Sequence, residues 1–328
     1  MRSRSFKRLL GAMLGTVLMA APASARAPEP ALWQIKNGDS TVYLLGSIHV
    51  LPTNWGWRTK PINAAISSAD VLVFESLLTP YSLGQTRVFV RQNGTLPRGK
   101  HLSTMLSPQG LEDFKAVLAT VPIDADSINV MRPWLAGIIL ADARIVTSPT
   151  HVTFGDGVDA QIEAEAHKAK KTVHYLESME SLFKILVAAS PDNDIKRFEA
   201  NLHELRGSGG HFNLMLETWT SGNQTALGKL TAEDVADHPE EMHLVLDQRN
   251  RNWMPQIESM LTAKKTTFIT VGAAHLVGPG SVMEMLCKRG WKVQRIKTGA
   301  TNPPPACPAA PPVLAKTPAK ATEVALRP

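Results

Sequence analysis

Apolar residues recur along this chain in two periods. Between Leu32 and Gly46 they fall in two β-rich runs separated by Asn37-Gly38-Asp39, the turn chemistry of a β-hairpin. VLVFE (71–75), TVHYLE (172–177), TTFITVG (266–272) and WKVQRIKT (291–298) read as four further strands. Elsewhere the spacing is helical. Ile62, Ala65, Ile66 and Ala69 share one face, and SPQGLEDFKAVLATV opens on the Ser-Pro of a helix start. RPWLAGIILADARIV and GVDAQIEAEAHKAKK predict two more helices, with others over about 178–190, 194–206 and 211–220. A long helix around Arg249 is expected to kink at Pro255. Strands alternate with helices at both ends, and helices fill the stretch from about 80 to 150. That pattern predicts an α/β fold, a sheet with a helical insertion in its middle.

Two of the predicted strands end alike. Gly46-Ser47-Ile48-His49 follows one and Gly272-Ala273-Ala274-His275 the other, far apart in the chain. The strand 71–74 ends at Glu75, and the strand 172–176 at Glu177. Open α/β sheets bind ligands at the carboxyl ends of their strands. Gly46 and Gly272 mark points where the backbone turns sharply or approaches something closely, a cofactor included. Each histidine alone reads as an ordinary hydrogen-bonding residue, and each glutamate alone as a cap or surface partner. Together, His49, His275, Glu75 and Glu177 at four strand exits form a candidate site. Imidazole and carboxylate suit a divalent transition metal such as Zn, Mn or Co. Arg249 lies four residues before Trp253 and belongs either to the apolar face of its helix, where a buried guanidinium needs a carboxylate partner, or to a solvated charge run with Arg251.

Charge adds little to the functional reading. Arg2, Arg4, Lys7 and Arg8, an uncharged run from Leu9 to Ala21 and Ala23-Ser24-Ala25 read as a secretory signal peptide over 1–25, which predicts a periplasmic or secreted protein. That run is short for a bilayer span, and no later segment qualifies as one. From 299 to 328 the chain turns Pro/Ala-rich and reads as a disordered, dispensable tail. The formal net charge of +6 comes mostly from these two ends, so the domain between, 26–298, is near neutral and gives no sign of nucleic-acid binding. Cys287 and Cys307 are too few for a cysteine zinc site, and their pairing is open.

LLGSIHVLP, LVFES, GVDAQIEAEA…LES, ETWTSGN, LDQRNRNWMPQIESML and VGAAHLVGPGSV…RGWKVQRI occur in one order across residues 32–297. In these stretches the chain resembles the TraB/GumN family, which includes the Tiki proteins, membrane-tethered metalloproteases that cut Wnt ligands. The resemblance implies an α/β fold related to erythromycin esterase-like and haem-uptake domains. It also implies a divalent metal at His49, Glu75 and His275, with Arg249 and Asn250 as a functional pair. One position departs: the usual W-x-x-G-D reads WTSGN here, with Asn223 for the acid, which puts activity in question if that acid takes part in catalysis. The leading reading is an exported metal-dependent hydrolase, a peptidase, acting on a peptide or small-molecule substrate. Glu75 is either metal ligand or general base, Glu177 a further ligand, and Arg249 the stabiliser of an oxyanion or of the acids. The alternatives are a non-catalytic metal- or haem-binding protein of the same fold and an envelope scaffold with structural histidines.

Overall fold

The hairpin forms where its turn residues lie. β1 (Leu32–Asn37) and β2 (Ser40–Ser47) pair antiparallel with Asn37 opposite Ser40. Gly38 takes a φ of 53° in the turn, a left-handed conformation that costs glycine little. The computed structural model describes residues 27–76, 88–147, 152–153, 156–187, 191–207, 210–237, 239–299 and 307. The leader 1–25 and nearly all of the tail 299–328 lie outside the described residues.

After β2 come a short β3 (Leu51–Pro52), β4 (Val71–Ser76), a short β5 (Val152–Thr153), β6 (Thr172–Glu177), β7 (Thr266–Gly272) and β8 (Val293–Ile296). β3 and β5 make a separate antiparallel ladder. The other six form one sheet in the order β6-β4-β7-β2-β1-β8. β6, β4, β7 and β2 run parallel, and β1 is antiparallel to both its neighbours.

Strand alternation splits the apolar residues between two faces. Leu45, Leu72, Phe74 and Phe268 meet Ile62 and Ile66 of the helix Lys60–Ser68, Val158 and Ile162 of the helix Val158–Lys168, and Trp219. On the other face Val42, Leu44, Val73, Ile269 and Val271 meet Trp253, Met254 and Ile257 of the helix Arg249–Met260 and Leu286 of the helix Val282–Lys288. The result is a helix–sheet–helix stack with the polar strand ends at one rim. The chain leaves β4 outward to β6 but leaves β7 toward β8 on the far side. Adjacent strands whose connections diverge open a crevice at their carboxyl ends.

The helical insertion has its own core. Leu102, Phe114, Val117, Ile128, Ala136, Leu140, Phe198 and Leu202 pack together. Leu102 comes from the short turn Leu102–Thr104 and the others from the helices Pro108–Leu118, Ala125–Asn129, Pro133–Val146 and Pro191–Arg206, so both the β4–β6 and β6–β7 connections contribute.

Two features go beyond the sequence reading. The helix Arg249–Met260 continues through Pro255 and is preceded by a π-helical stretch His243–Gln248. Such widened turns cluster at functional sites. Here Arg249 Nη1 donates to Val245 O, four residues back, at 3.2 Å. The tail is also tied to the domain: Cys307 forms a disulfide with Cys287 and packs beside Trp291. No helix among the described residues is long and apolar enough to cross a membrane.

Candidate functional site

Parallel register brings the four strand exits level. Ser47 pairs with Gly272, Phe74 with Thr270 and Ser76 with Glu177. Gly46 and Gly272 then serve as spacers between the two motifs. A Cβ on Gly46 would lie 2.9 Å from the Ala273 Cα, so the motifs pack backbone against backbone only without one. A Cβ on Gly272 would lie 3.2 Å from Glu75 Oε1, 3.4 Å from His49 Nε2 and 3.5 Å from His275 Cδ2. Both motif histidines and the strand-end acid therefore converge on one glycine. The indole of Trp219 donates to Gly46 O at 2.9 Å and fixes the end of β2.

Arg249 enters from the helix on one sheet face. Its side chain is only 5 % exposed, and it lies between Glu75 Oε2 at 2.6 Å and Glu177 Oε1 at 2.5 Å, both through Nη2. Nε adds a 2.8 Å bond to Glu177 Oε1, and the guanidinium stacks 4.8 Å over the Trp253 ring. The indole Nε1 of Trp253 donates to Glu177 Oε2 at 3.3 Å. Glu177 is thereby engaged through both oxygens by Arg249 and Trp253, while Glu75 keeps one oxygen toward Gly272, whose N–H donates to it at 2.5 Å.

The state of His275 follows from its partners. Arg249 Nη1 lies 3.1 Å from Nε2. A guanidinium only donates, so Nε2 accepts and the ring proton sits on Nδ1. Nδ1 bonds Asn250 Oδ1 at 2.6 Å, and Asn250 Nδ2 donates to Gly280 O at 2.9 Å, which fixes that amide's orientation. Burial, with Arg249 and His49 adding to it, pushes the His275 pKa down to about 3. The imidazole is neutral at physiological pH. Burial also works against the charge of Glu75, but His275, Arg249, His49 and the Gly272 N–H outweigh it and bring its pKa to about 2. With His275 neutral, Arg249 and the protonated His49 are the cations that keep Glu75 ionised.

His49 sits at the mouth, its side chain 51 % exposed. Its Nδ1 lies 3.0 Å from Asp159 Oδ1. Desolvation opposes its charge, and the hydrogen bond and charge of Asp159, with Glu75 behind them, raise its pKa to about 9. Asp159 was not anticipated from sequence. It is placed by Val158 N, which donates to Ile48 O at 3.0 Å, and by Gly157, where any Cβ would overlap the His49 carbonyl. The Gly-Val-Asp at a helix start held the clue. Without the Val158–Ile48 bond in view, it reads only as a helix beginning.

Asn223 lies elsewhere in role. Its Oδ1 accepts from Ala226 N at 3.1 Å at the start of the helix Gln224–Asp237. Asn and Asp cap helices about equally well, so the Asn at this position leaves the site residues as they are.

Both histidines turn Nε2 toward the site with the other ring nitrogen pinned, His49 by a carboxylate and His275 by an amide, and His49 binds a cation only after losing its Nε2 proton. That is how proteins orient metal-ligating imidazoles. With the ionised Glu75 they form a donor set suited to a divalent cation. Among the described residues no three His, Cys, Asp or Glu side chains form a ready ligand cluster.

An α/β sheet with paired Gly-x-x-His exits around a buried Arg–Glu cluster defines the class. The signature of the TraB/PrgY/gumN family matches residues 31–295, and the chain belongs to that family. A protein named Metalloprotease TIKI homolog from Amphimedon queenslandica is 32 % identical, over 90 % of this chain and 68 % of its own. An uncharacterized protein of Treponema pallidum (strain Nichols) is 22 % identical, over 82 % of this chain and 84 % of its own. No solved structure matches the chain.

Proposed function

We propose that this protein is an exported metal-dependent hydrolase acting on peptides, with a divalent cation held by His49, Glu75 and His275. The observation that carries the reading is the convergence of His49 Nε2, Glu75 Oε1 and the His275 ring on Gly272. The similarity to a TIKI metalloprotease homolog supports the peptidase class. Such a cation, when bound, supplies Lewis-acid activation of water and of a scissile carbonyl.

The chain's own residues have separable tasks. Asp159 and Asn250 hold the two imidazoles with Nε2 turned to the site. Arg249 keeps Glu75 ionised and holds both Glu75 and Glu177 in place, and Glu177 anchors the guanidinium. His49, at the open side, faces incoming substrate. Glu75 either completes the donor set or takes the water proton. Glu75→Gln separates the two roles, because losing metal marks a ligand, and losing turnover with metal retained marks a base.

Export is supported by the leader-like sequence over 1–25 and by the Cys287–Cys307 disulfide, since disulfides persist in oxidising compartments. The test is calorimetric titration of Mn²⁺ or Zn²⁺ into wild type, His49→Ala and His275→Ala, with peptide cleavage assayed alongside. Metal binding by wild type that both substitutions abolish is the expected result. Equal affinity in folded His→Ala variants overturns the metal site and the hydrolase with it.

A further inference from the structure

We infer that Arg249 occupies the metal-ligating lone pair of His275, so that metal binding and the Arg249–His275 hydrogen bond exclude each other. The inference rests on the metal site proposed above. Nδ1 of His275 is committed to Asn250 Oδ1 at 2.6 Å. Only the Nε2 lone pair remains to this ring as a donor, and Arg249 Nη1 lies 3.1 Å from it. One lone pair cannot accept an N–H and bind a cation together.

The rest of the guanidinium does not depend on that bond. Nε and Nη2 are held by Glu177 and Glu75, and the other proton of Nη1 goes to Val245 O at 3.2 Å. Metal entry therefore costs Arg249 one hydrogen bond while its anchors stay. The released N–H remains beside His275. Arg249 is a positioning residue with two consequences. It stands in for the cation while the site is metal-free, which weakens metal affinity. After loading it presents a donor that the metal-free site keeps engaged.

The test compares Zn²⁺ affinity by calorimetry in wild type, Arg249→Gln and Arg249→Lys, each checked for folding. Loss of a competing charge-assisted bond predicts roughly tenfold or tighter binding in both variants. Tightening in Arg249→Gln alone, with Arg249→Lys like wild type, would mean that only the positive charge opposes the metal and would overturn the inference. Should neither variant fold, wild type alone decides. By ¹⁵N NMR, the His275 Nε2 resonance should move on Zn²⁺ saturation, and the Arg249 guanidinium N–H should exchange faster. Metal bound with His275 Nε2 and Arg249 unchanged overturns the inference and leaves a metal site elsewhere. Absence of Zn²⁺ binding by every form, wild type included, overturns the hydrolase reading itself.

Discussion

Two buried ionic clusters sit in this molecule, one at the sheet rim and one in the helical insertion, and they are built in opposite ways. In the insertion a single acid is buried: the Asp113 side chain is 3 % exposed. Its partners Arg206 and His203 reach it from the surface, and the Arg206 side chain is 50 % exposed. At the rim the cation is the buried centre. Arg249 has two carboxylates, an imidazole and a carbonyl around it. The insertion cluster fastens the helix Pro108–Leu118 to the helix Pro191–Arg206, and water can replace the outer partners. The rim cluster has no such exchange open to it, so each partner fixes the direction and charge of the next. Only that kind of network holds a neutral imidazole and an ionised carboxylate ready for chemistry.

The largest effect should separate these clusters directly. Arg249→Met strands Glu75 and Glu177 as buried unpaired charges and should cost about 3–5 kcal/mol. Asp113→Ala leaves partners that hydrate readily and should cost about 1–2 kcal/mol. Urea melts of both variants measure the difference, and equal losses would break the contrast. The disulfide gives the next effect, on the sheet side alone. Cys287 and Cys307 are 20 residues apart, and replacing both with Ser should cost about 3 kcal/mol. Truncation after Cys307 should leave the melting temperature nearly unchanged, whereas truncation at Gly299 should reproduce the loss.

The pH dependence sharpens the contrast further. His275 is neutral when folded, with its pKa lowered from 6.5 to about 3, and takes a proton more readily when unfolded. Its contribution is complete above pH 6.5 and is lost as pH falls toward 3. Asp113, held below the usual carboxylate range by its Arg206 hydrogen bond against desolvation, with His203 and Gln109 assisting, loses its contribution only at more acidic pH. Stability measured between pH 6.5 and 4.5 should therefore fall in wild type and flatten in His275→Asn, with Asp113→Ala keeping the wild-type slope. His49 acts in the other direction. Its pKa is raised to about 9, so its contribution is present below 6.5 and fades as pH rises through 9. The smallest effect belongs to Asn223→Asp. It should change stability by less than about 0.5 kcal/mol and leave metal affinity alone, because either residue caps the helix.

Much of this arrangement was legible before any coordinates. The hairpin followed from Asn37-Gly38-Asp39, and the α/β class followed from strands and helices alternating at both ends. The convergence of His49 and His275 was expected from their identical strand exits. Asp159 was missed, because a carboxylate one residue into a helix looks the same whether or not a distant imidazole faces it. The tail was read as disordered because Pro and Ala cannot form a core, and the Cys287–Cys307 pairing that the sequence left open ties Cys307 to the domain. The widened turn before Arg249 was not anticipated, because nothing in the residues 243–248 marks it in the sequence.

What the sequence determined by itself are the local matters: which segments are strands, where the turns and helix caps lie, and which residues carry chemistry. Period, glycine and capping side chains act within a few residues of chain and are read one segment at a time. Only the tertiary structure decided the strand order β6-β4-β7-β2-β1-β8, which sets Glu75 beside Gly272 and leaves a crevice there. It also decided that Asp159 faces His49, that Asn250 fixes the proton of His275, and that Arg249 fills the remaining lone pair. Protonation and hydrogen-bond direction depend on burial and on partners brought from distant segments. No single segment of the sequence contains them.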